Sequence, residues 1–315
     1  LAHSAYRREN FHICPNFCST MTEPEKKQVD VVAILKKAAK RAGEGGLAGA
    51  AAMAINVCSL MWIRTAINYQ YRYGTSTTEA FKKLYSEGGI PRFYRGLAPA
   101  LVQGPLSRFG DTAANTGVLA ALDAFETTEK LPVAFKTVAA SVGAGLFRIL
   151  LMPVDTFKTT MQVEGKDGVA KLMAKFRSNG PSTFFQGALA SAGATFVGHY
   201  PWFFVYNALS ASLPKYDDLL MKLGRSAFIG FVASATSDLC SNSIRVVKVY
   251  KQANSDALTY REVISRVYAE GGIMAFLGRG LKTKIIANGL QGLMFSVLWK
   301  YIDDAFFKKP KTEKQ

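Results

Sequence analysis

The chain has 315 residues, 49% of them hydrophobic and 20% charged, with a formal net charge of +16. Its apolar residues are bunched into long runs, which argues against a soluble protein of ordinary domains with alternating polar and apolar faces. The positive balance points to an anionic partner, whether acidic lipid, charged solute or nucleic acid, and the four cysteines (Cys14, Cys18, Cys58, Cys240) spell neither a disulfide framework nor a complete metal site.

The chain opens with Leu1, while Met21 begins the stretch MTEPEKKQVD, so residues 1–39 read as a leader or extension outside the fold. A bilayer core of roughly 30 Å needs about 20 helical residues. The first such run, 45–63, has no charged side chain and ends at Arg64. Ser76 and Glu79 then form a capping box, followed by Phe81, Leu84 and Tyr85 on one face of a short amphipathic helix. A second run, about 97–122, carries Arg108 and Asp111. The third, 133–156, carries Lys136, Arg148 and Asp155, and its short helix keeps Val169, Leu172, Met173 and Phe176 without a capping box. The fourth run, 187–214, is uncharged and contains His199 and Pro201. The fifth, 226–244, holds Asp238 and is followed by a box of Thr259 and Glu262; the sixth, 281–302, holds Lys282, Lys284 and Lys300 before a basic tail at 308–315. Glycine and alanine fill all six, as expected where membrane helices approach closely. An ionisable group near the bilayer centre costs on the order of 3 kcal/mol, so Arg108, Asp111 and Asp238 imply a hydrated interior.

Two markers recur. Arg64, Lys158 and Lys248 follow the odd runs at intervals of 94 and 90 residues (158 − 64 and 248 − 158). Gly96, Gly187 and Gly280 close the segments EGGIPRFYRG, SNGPSTFFQG and EGGIMAFLGRG at intervals of 91 and 93 (187 − 96 and 280 − 187). Two markers with one period define three repeats, 40–125, 126–216 and 217–307.

With this period and the middle motif Pro153, Asp155, Lys158 and Gln162, the sequence resembles the mitochondrial carrier family, whose signature is P-x-[DE]-x-x-[KR] followed by an acid, glycine, then aromatic-basic-glycine. The likeness covers residues 40–307. It implies an all-α membrane protein of the mitochondrial inner membrane, with six transmembrane helices in three pseudo-threefold repeats, each with a short matrix-side amphipathic helix. It also implies a ring of acid–base pairs closing the cavity on the matrix side, the proline bending each odd helix inward. Two repeats depart from the signature. Ser59, Met61 and Arg64 occupy the first triplet, and Ser243, Arg245 and Lys248 the third. The ring then sets Arg64, Lys158, Arg245 and Lys248 against Asp155 alone. Unit charges 4 Å apart at an effective dielectric near 20 interact by about 4 kcal/mol, so the expected gate is weak, strained or dependent on anions.

The resemblance further implies an opposite gate at Thr116, Asn207 and Lys300 with Leu119, Ser210 and Asp303, where only the third pair is charged. Solute-contact positions fall at Gln103, Ala194 with Thr195, and Ala287; Arg108, Asp111, His199, Asn288 and Gln291 are further polar candidates. Arg108 and Asp111, three apart, equally well neutralise one another, and His199 reads as a packed, hydrogen-bonded residue before it reads as a ligand. Cardiolipin phosphates are implied at Arg95 and Gly96, at Gly187, and at Arg279 and Gly280, where helix N-termini offer N–H groups to an anion; cardiolipin is the only structural lipid or cofactor expected, beside other membrane lipids. Loops 64–97, 158–186 and 245–279 together carry a net charge of +10 against zero for 123–136 and 212–225, consistent with the first set facing the matrix.

Two functions fit these residues. One is transport of a small polar or anionic solute by alternating access. The other is a carrier fold whose transport has degenerated, serving as an accessory subunit of a larger inner-membrane respiratory complex. An enzyme is not expected: GEGGLAG lacks a preceding strand, and no Ser-His-Asp or metal cluster is visible. The basic residues flank the runs, which disfavours nucleic acid.

Overall fold

The computed structural model describes residues 46–123 and 133–302, which form ten α-helices with no strand among them. The first repeat comprises α1 (Gly46–Tyr73), α2 (Thr77–Phe93) and α3 (Leu97–Asp123). The second comprises α4 (Val133–Leu150), α5 (Met152–Glu164), α6 (Gly168–Asn179) and α7 (Ala188–Ser212). The third comprises α8 (Leu219–Ala253), α9 (Tyr260–Gly278) and α10 (Leu281–Ile302). The leader read at 1–39 and the tail at 308–315 lie outside the described residues.

The break between α4 and α5 has a local cause. Pro153 lacks an N–H and its ring collides with the carbonyl four residues back, so the helix stops at Leu151, and the segments Val138–Leu150 and Met152–Asn179 meet at 66°. Ser59 and Ser243 occupy the equivalent places in the other repeats. There the helix runs on unbroken for 28 residues in α1 and 35 in α8.

By length and composition, no single helix among the described residues is long and apolar enough to cross a membrane, although the bent pair at Leu151 passes together. Small residues and inward polar groups such as Arg64, Asp238 and Lys284 dilute the apolar character of the runs expected to span. The outer faces of α4, α7 and α10 nonetheless expose large apolar side chains, among them Phe135, Leu146, Leu150, Phe196, Phe204 and Leu293. An apolar exterior of this kind suits a surface that is covered by something other than water.

The long helices pack in the order α1, α3, α4, α7, α8, α10 and back to α1, closing a ring. Glycine sets the joints. Gly96, Gly187 and Gly280 adopt left-handed φ of +83°, +85° and +64°, which only glycine takes without strain. A Cβ at Gly96 would stand 2.9 Å from the Lys158 carbonyl oxygen, and one at Gly187 3.2 Å from that of Lys248; one at Gly280 would stand 2.8 Å from the Tyr71 ring. Each even helix therefore starts on the first helix of the next repeat: first on second, second on third, third on first.

The surface helices obey the same cycle. Arg92 donates to the carbonyls of Gln162 (2.8 Å) and Val163 (2.7 Å) at the end of α5. Lys175 donates to those of Asn254 (2.6 Å) and Lys251 (3.2 Å) at the end of α8. The Arg279 guanidinium lies against Gly74 just beyond α1. Each cation sits where the last helical carbonyls lack partners and the helix dipole is negative. Glu87 and Glu270 hold the two arginines at 2.9 and 2.6 Å.

Both expected capping boxes form, at Ser76 with Glu79 and at Thr259 with Glu262. The short helices differ from expectation in two ways. Gly89 and Gly272, both at φ +63°, bend α2 and α9 within their length, and Tyr85 points outward while Leu84 is fully buried. The buried face before the bend is centred on Ala80 and Leu84, and Tyr85, about 100° further round the helix, falls outside it.

Two predictions follow from these joints. Gly96→Ala should destabilise the protein by about 1–3 kcal/mol, the range for a side chain forced into a left-handed or crowded backbone. Gly224→Ala, in α8 with nothing within 4 Å of the added methyl, should be neutral or stabilising by less than about 1 kcal/mol; thermal unfolding in detergent separates the two. The second concerns Lys175. Its ammonium is pushed down to about 8 from the ordinary 10.5 by burial first and by Lys251 and Arg72, with Asp256 opposing. A lysine depressed on folding contributes fully above its unfolded value and loses that contribution as pH falls through its folded one. The unfolding midpoint of the wild type relative to Lys175→Met should therefore rise between pH 8 and 10.5; a flat difference across that window would refute the assignment.

Candidate functional site

At one end of the ring α3, α5 and α8 meet at Asp155. Its placement is local: an acid in the first turn of α5, where the helix dipole favours negative charge, with Lys158 three residues on and on the same face. The carboxylate is 4% exposed. Oδ1 accepts from Lys158 Nζ (3.0 Å) and Gln103 Nε2 (2.7 Å). Oδ2 accepts from Lys248 Nζ (2.6 Å) and Gln252 Nε2 (3.1 Å). Lys158 also donates to Gln103 Oε1 at 2.5 Å. Four donors from α3, α5 and α8 thus meet one buried carboxylate, the condition under which a buried charge is tolerated.

The other two seams at this level are neutral. Asn68 of α1 donates to Gln162 Oε1 of α5 at 2.5 Å, and Tyr71 of α1 donates to Asn242 Oδ1 of α8 at 3.0 Å. Asn68, Gln162 and Gln252 each stand four residues after the basic residue of their repeat. That shared position is the sequence signal for the amides, and the reading of the triplets alone passed over it.

The expectation of four bases around one acid needs correcting. Lys158 and Lys248 share Asp155, but Arg245 approaches Asp238, two turns earlier on α8, at 3.5 Å. Asp238 is buried and also takes the amide of Asn288 from α10. Arg64 donates to Asn56 Oδ1 (2.8 Å) and Gln291 Oε1 (3.2 Å). A second carboxylate outside the triplet register therefore relieves the crowding that the triplets suggest.

The remaining candidates scatter. Gln103 belongs to the Asp155 cluster and Asn288 to Asp238, whereas Ala194 and Ala287 are buried apolar contacts. The Thr195 hydroxyl bonds back to the Ser191 carbonyl of its own helix at 3.0 Å. His199 meets the Ser141 hydroxyl at 3.0 Å and the edge of Phe203, so it is a bonded, packed side chain. Asn207 is exposed and Ser210 half-buried. The side chains of Arg108, Asp111, Thr116, Leu119, Lys300 and Asp303 lie outside the described residues.

Among the glycine-marked positions, Gly96, Gly187 and Gly280 are buried at helix starts and Arg95 is half-buried. Arg279 stands apart: its side chain is almost wholly buried, yet Nε and Nη1 find no protein partner. It borders a groove of about 920 Å³ between the starts of α2 and α10, lined by Ser76, Thr77, Lys282 and Thr283. Two helix N-termini and an unsatisfied guanidinium suit a phosphate group.

The pattern described as mitochondrial carrier protein matches residues 35–116, 129–217 and 221–310. The mitochondrial thiamine pyrophosphate carrier 1 of Meyerozyma guilliermondii is 30% identical over 179 residues, 52% of this chain and 60% of that protein. Its counterpart from Aspergillus niger is 28% identical over 169 residues, 51% of each. The matched stretch thus spans about half to three-fifths of these relatives.

Removing the acid from the Asp155 cluster tests its weight. Asp155→Asn should lower stability by about 3–5 kcal/mol, the cost of leaving a buried cation without its partner. The double variant Asp155→Asn/Lys248→Gln should recover part of that loss, so a thermal-unfolding cycle returns a coupling of about 1 kcal/mol or more. Additive single effects would show that the two groups do not act as a pair.

Proposed function

The chain belongs to the mitochondrial carrier family, and from that premise we propose that it moves a small polar or anionic solute across the mitochondrial inner membrane by alternating access, without covalent chemistry. The observation that carries this reading is the Asp155 cluster. A single carboxylate gathers Lys158, Lys248, Gln103 and Gln252 from three helices, while at the same level α1 meets α5 through Asn68 and Gln162 and meets α8 through Tyr71 and Asn242, with apolar packing beside them. An ionic knot that ties three helices at one carboxylate suits an end that opens and recloses between two discrete states. The hinge at Pro153 supplies a place to bend. The apolar exteriors of α4, α7 and α10 support a multi-pass placement in lipid, and the groove beside Arg279, with the starts of α3 and α7 at Gly96 and Gly187, supports cardiolipin there.

The second reading, an accessory subunit of a respiratory complex, draws on one specific feature. The two degenerate triplets leave α1 and α8 unbroken where α4 and α5 meet at a break, so two of three repeats lack the hinge that a symmetric opening uses.

Reconstitution in liposomes tests the proposal, with thiamine pyrophosphate leading a panel of nucleotides, phosphate, carboxylates and amino acids because of the relatives' name. The expected outcome is saturable uptake or exchange of at least one solute, reduced tenfold or more by Lys248→Gln. Absence of uptake for every solute, together with migration only within a larger assembly after gentle solubilisation, would replace transport by the second reading.

A further inference from the structure

We infer that Arg72 and Tyr73, the last two residues of α1, form a second closure layer beyond the Asp155 cluster, so that this end of the ring opens only when both layers part. The inference rests on the transport reading for its purpose, since a layer that parts matters to a chain that alternates between two states. At the level of Asp155, α1 brings no charged group into the ionic knot. Its end does. The Tyr73 hydroxyl donates to Glu164 Oε1 at 2.9 Å and so joins the ends of α1 and α5. Arg72 turns the other way, toward α8: its guanidinium carbon lies 4.4 Å from the centre of the Tyr250 ring, and Nη2 stands 3.5 Å from Asn254 Oδ1. Glu164 follows Asp155 by nine residues (164 − 155) on the same helix, about 13 Å along an axis that rises 1.5 Å per residue. The two layers share no side chain.

Each partner in this layer is braced within its own repeat. The buried Glu164 carboxylate also takes Lys171 of α6, and the Tyr250 hydroxyl donates to Glu270 of α9 at 2.8 Å. The Tyr73 ring rests against that of the buried Tyr69, their centroids 4.6 Å apart, which fixes the direction of the hydroxyl. Both contacts of α1 are short-ranged. A cation must stay within about 6 Å of the ring centre, and a hydrogen bond is lost beyond about 3.5 Å. A small outward swing of α1 therefore breaks both together. The layer belongs to the first repeat alone: eight and nine residues after the basic marker, the second repeat has Lys166 and Asp167 and the third has Asp256 and Ala257. It gives α1, whose triplet lacks an acid, the electrostatic fastening that Asp155 gives α5 and α8.

The test follows labelling of buried cysteines by a small thiol reagent in the whole chain in detergent, in a background of Cys14→Ser, Cys18→Ser, Cys58→Ser and Cys240→Ser. Met61→Cys and Thr159→Cys report from behind the second layer, at positions 1% and 2% exposed. Ile229→Cys, as deeply buried in the far half of α8, is the control. Labelling at such sites tracks the population of locally opened forms. Tyr73→Phe keeps the ring and removes the hydroxyl, and should speed labelling at both reporters about fivefold, the change expected for one hydrogen bond of ordinary net strength. Arg72→Gln should act likewise. Glu164→Gln, which keeps an oxygen for the phenol, should act less than Tyr73→Phe. Labelling at Ile229→Cys should not change in any of them. Unchanged labelling at the reporters, or equal acceleration at the control, would overturn the second layer; one reporter suffices where the other does not fold. Liposome uptake is read separately. Faster labelling without uptake of any solute would leave the layer standing and sink the transport reading, whereas uptake with unchanged labelling would do the reverse.

Discussion

The Asp155 carboxylate is the constraint around which the closed end is arranged. Burying a carboxylate costs several kcal/mol unless its oxygens are fully engaged, and here each oxygen takes one ammonium and one amide. That requirement draws Gln103 in from α3 and Lys248 and Gln252 in from α8, and so determines how closely three helices of three repeats approach. It also accounts for Gln103. A glutamine at that place reads as a solute contact when only the position is considered; its two bonds, to Asp155 and from Lys158, make it part of the closure.

The cyclic joints do the complementary work at the helix ends. A glycine with left-handed φ starts each even helix on the next repeat, and a surface-helix cation lies against the end of that same neighbour's first helix. Neither device can close on its own repeat. Each repeat therefore depends on the next, and the ring α1 to α10 returns to its start so that the third repeat is seated on the first.

Much of this was legible in the residues. The capping boxes, the glycine period and the break at Pro153 each follow from a local rule, and each appears where the rule puts it. Long-range partners did not follow. Asp238 lies seven residues before Arg245, outside the triplet register, so aligning the motif hides a carboxylate that answers it. Arg92 and Lys175 look like ordinary surface cations of amphipathic helices; their role depends on which carbonyls the next repeat brings near, and no local pattern encodes that. Tyr85 fails for a simpler reason: the buried face is centred on Ala80 and Leu84, and the next residue stands about 100° further round the helix.

The three seams among α1, α5 and α8 are closed by different forces, and the departures in the triplets explain the division. Between α5 and α8 the bond is ionic, at Asp155 and Lys248. Between α1 and α8, where the first and third triplets carry no acid, the polar link at this level is the single Tyr71–Asn242 bond, but Leu60, Ile63 and Ile67 pack into one cluster with Val246, Val249 and Tyr250. A neutral hydrogen bond contributes roughly 1 kcal/mol net, whereas each fully buried aliphatic side chain contributes about 1.5–3 kcal/mol where water is what it leaves. The α1–α8 seam therefore holds mainly by packing, which is indifferent to anions, and the α5–α8 seam by charge, which is not. The apolar seam keeps α1 and α8 together as a unit, while the α5–α8 seam is the one that a change of charge loosens. Asymmetry in the motifs thus becomes asymmetry in where the ring gives way.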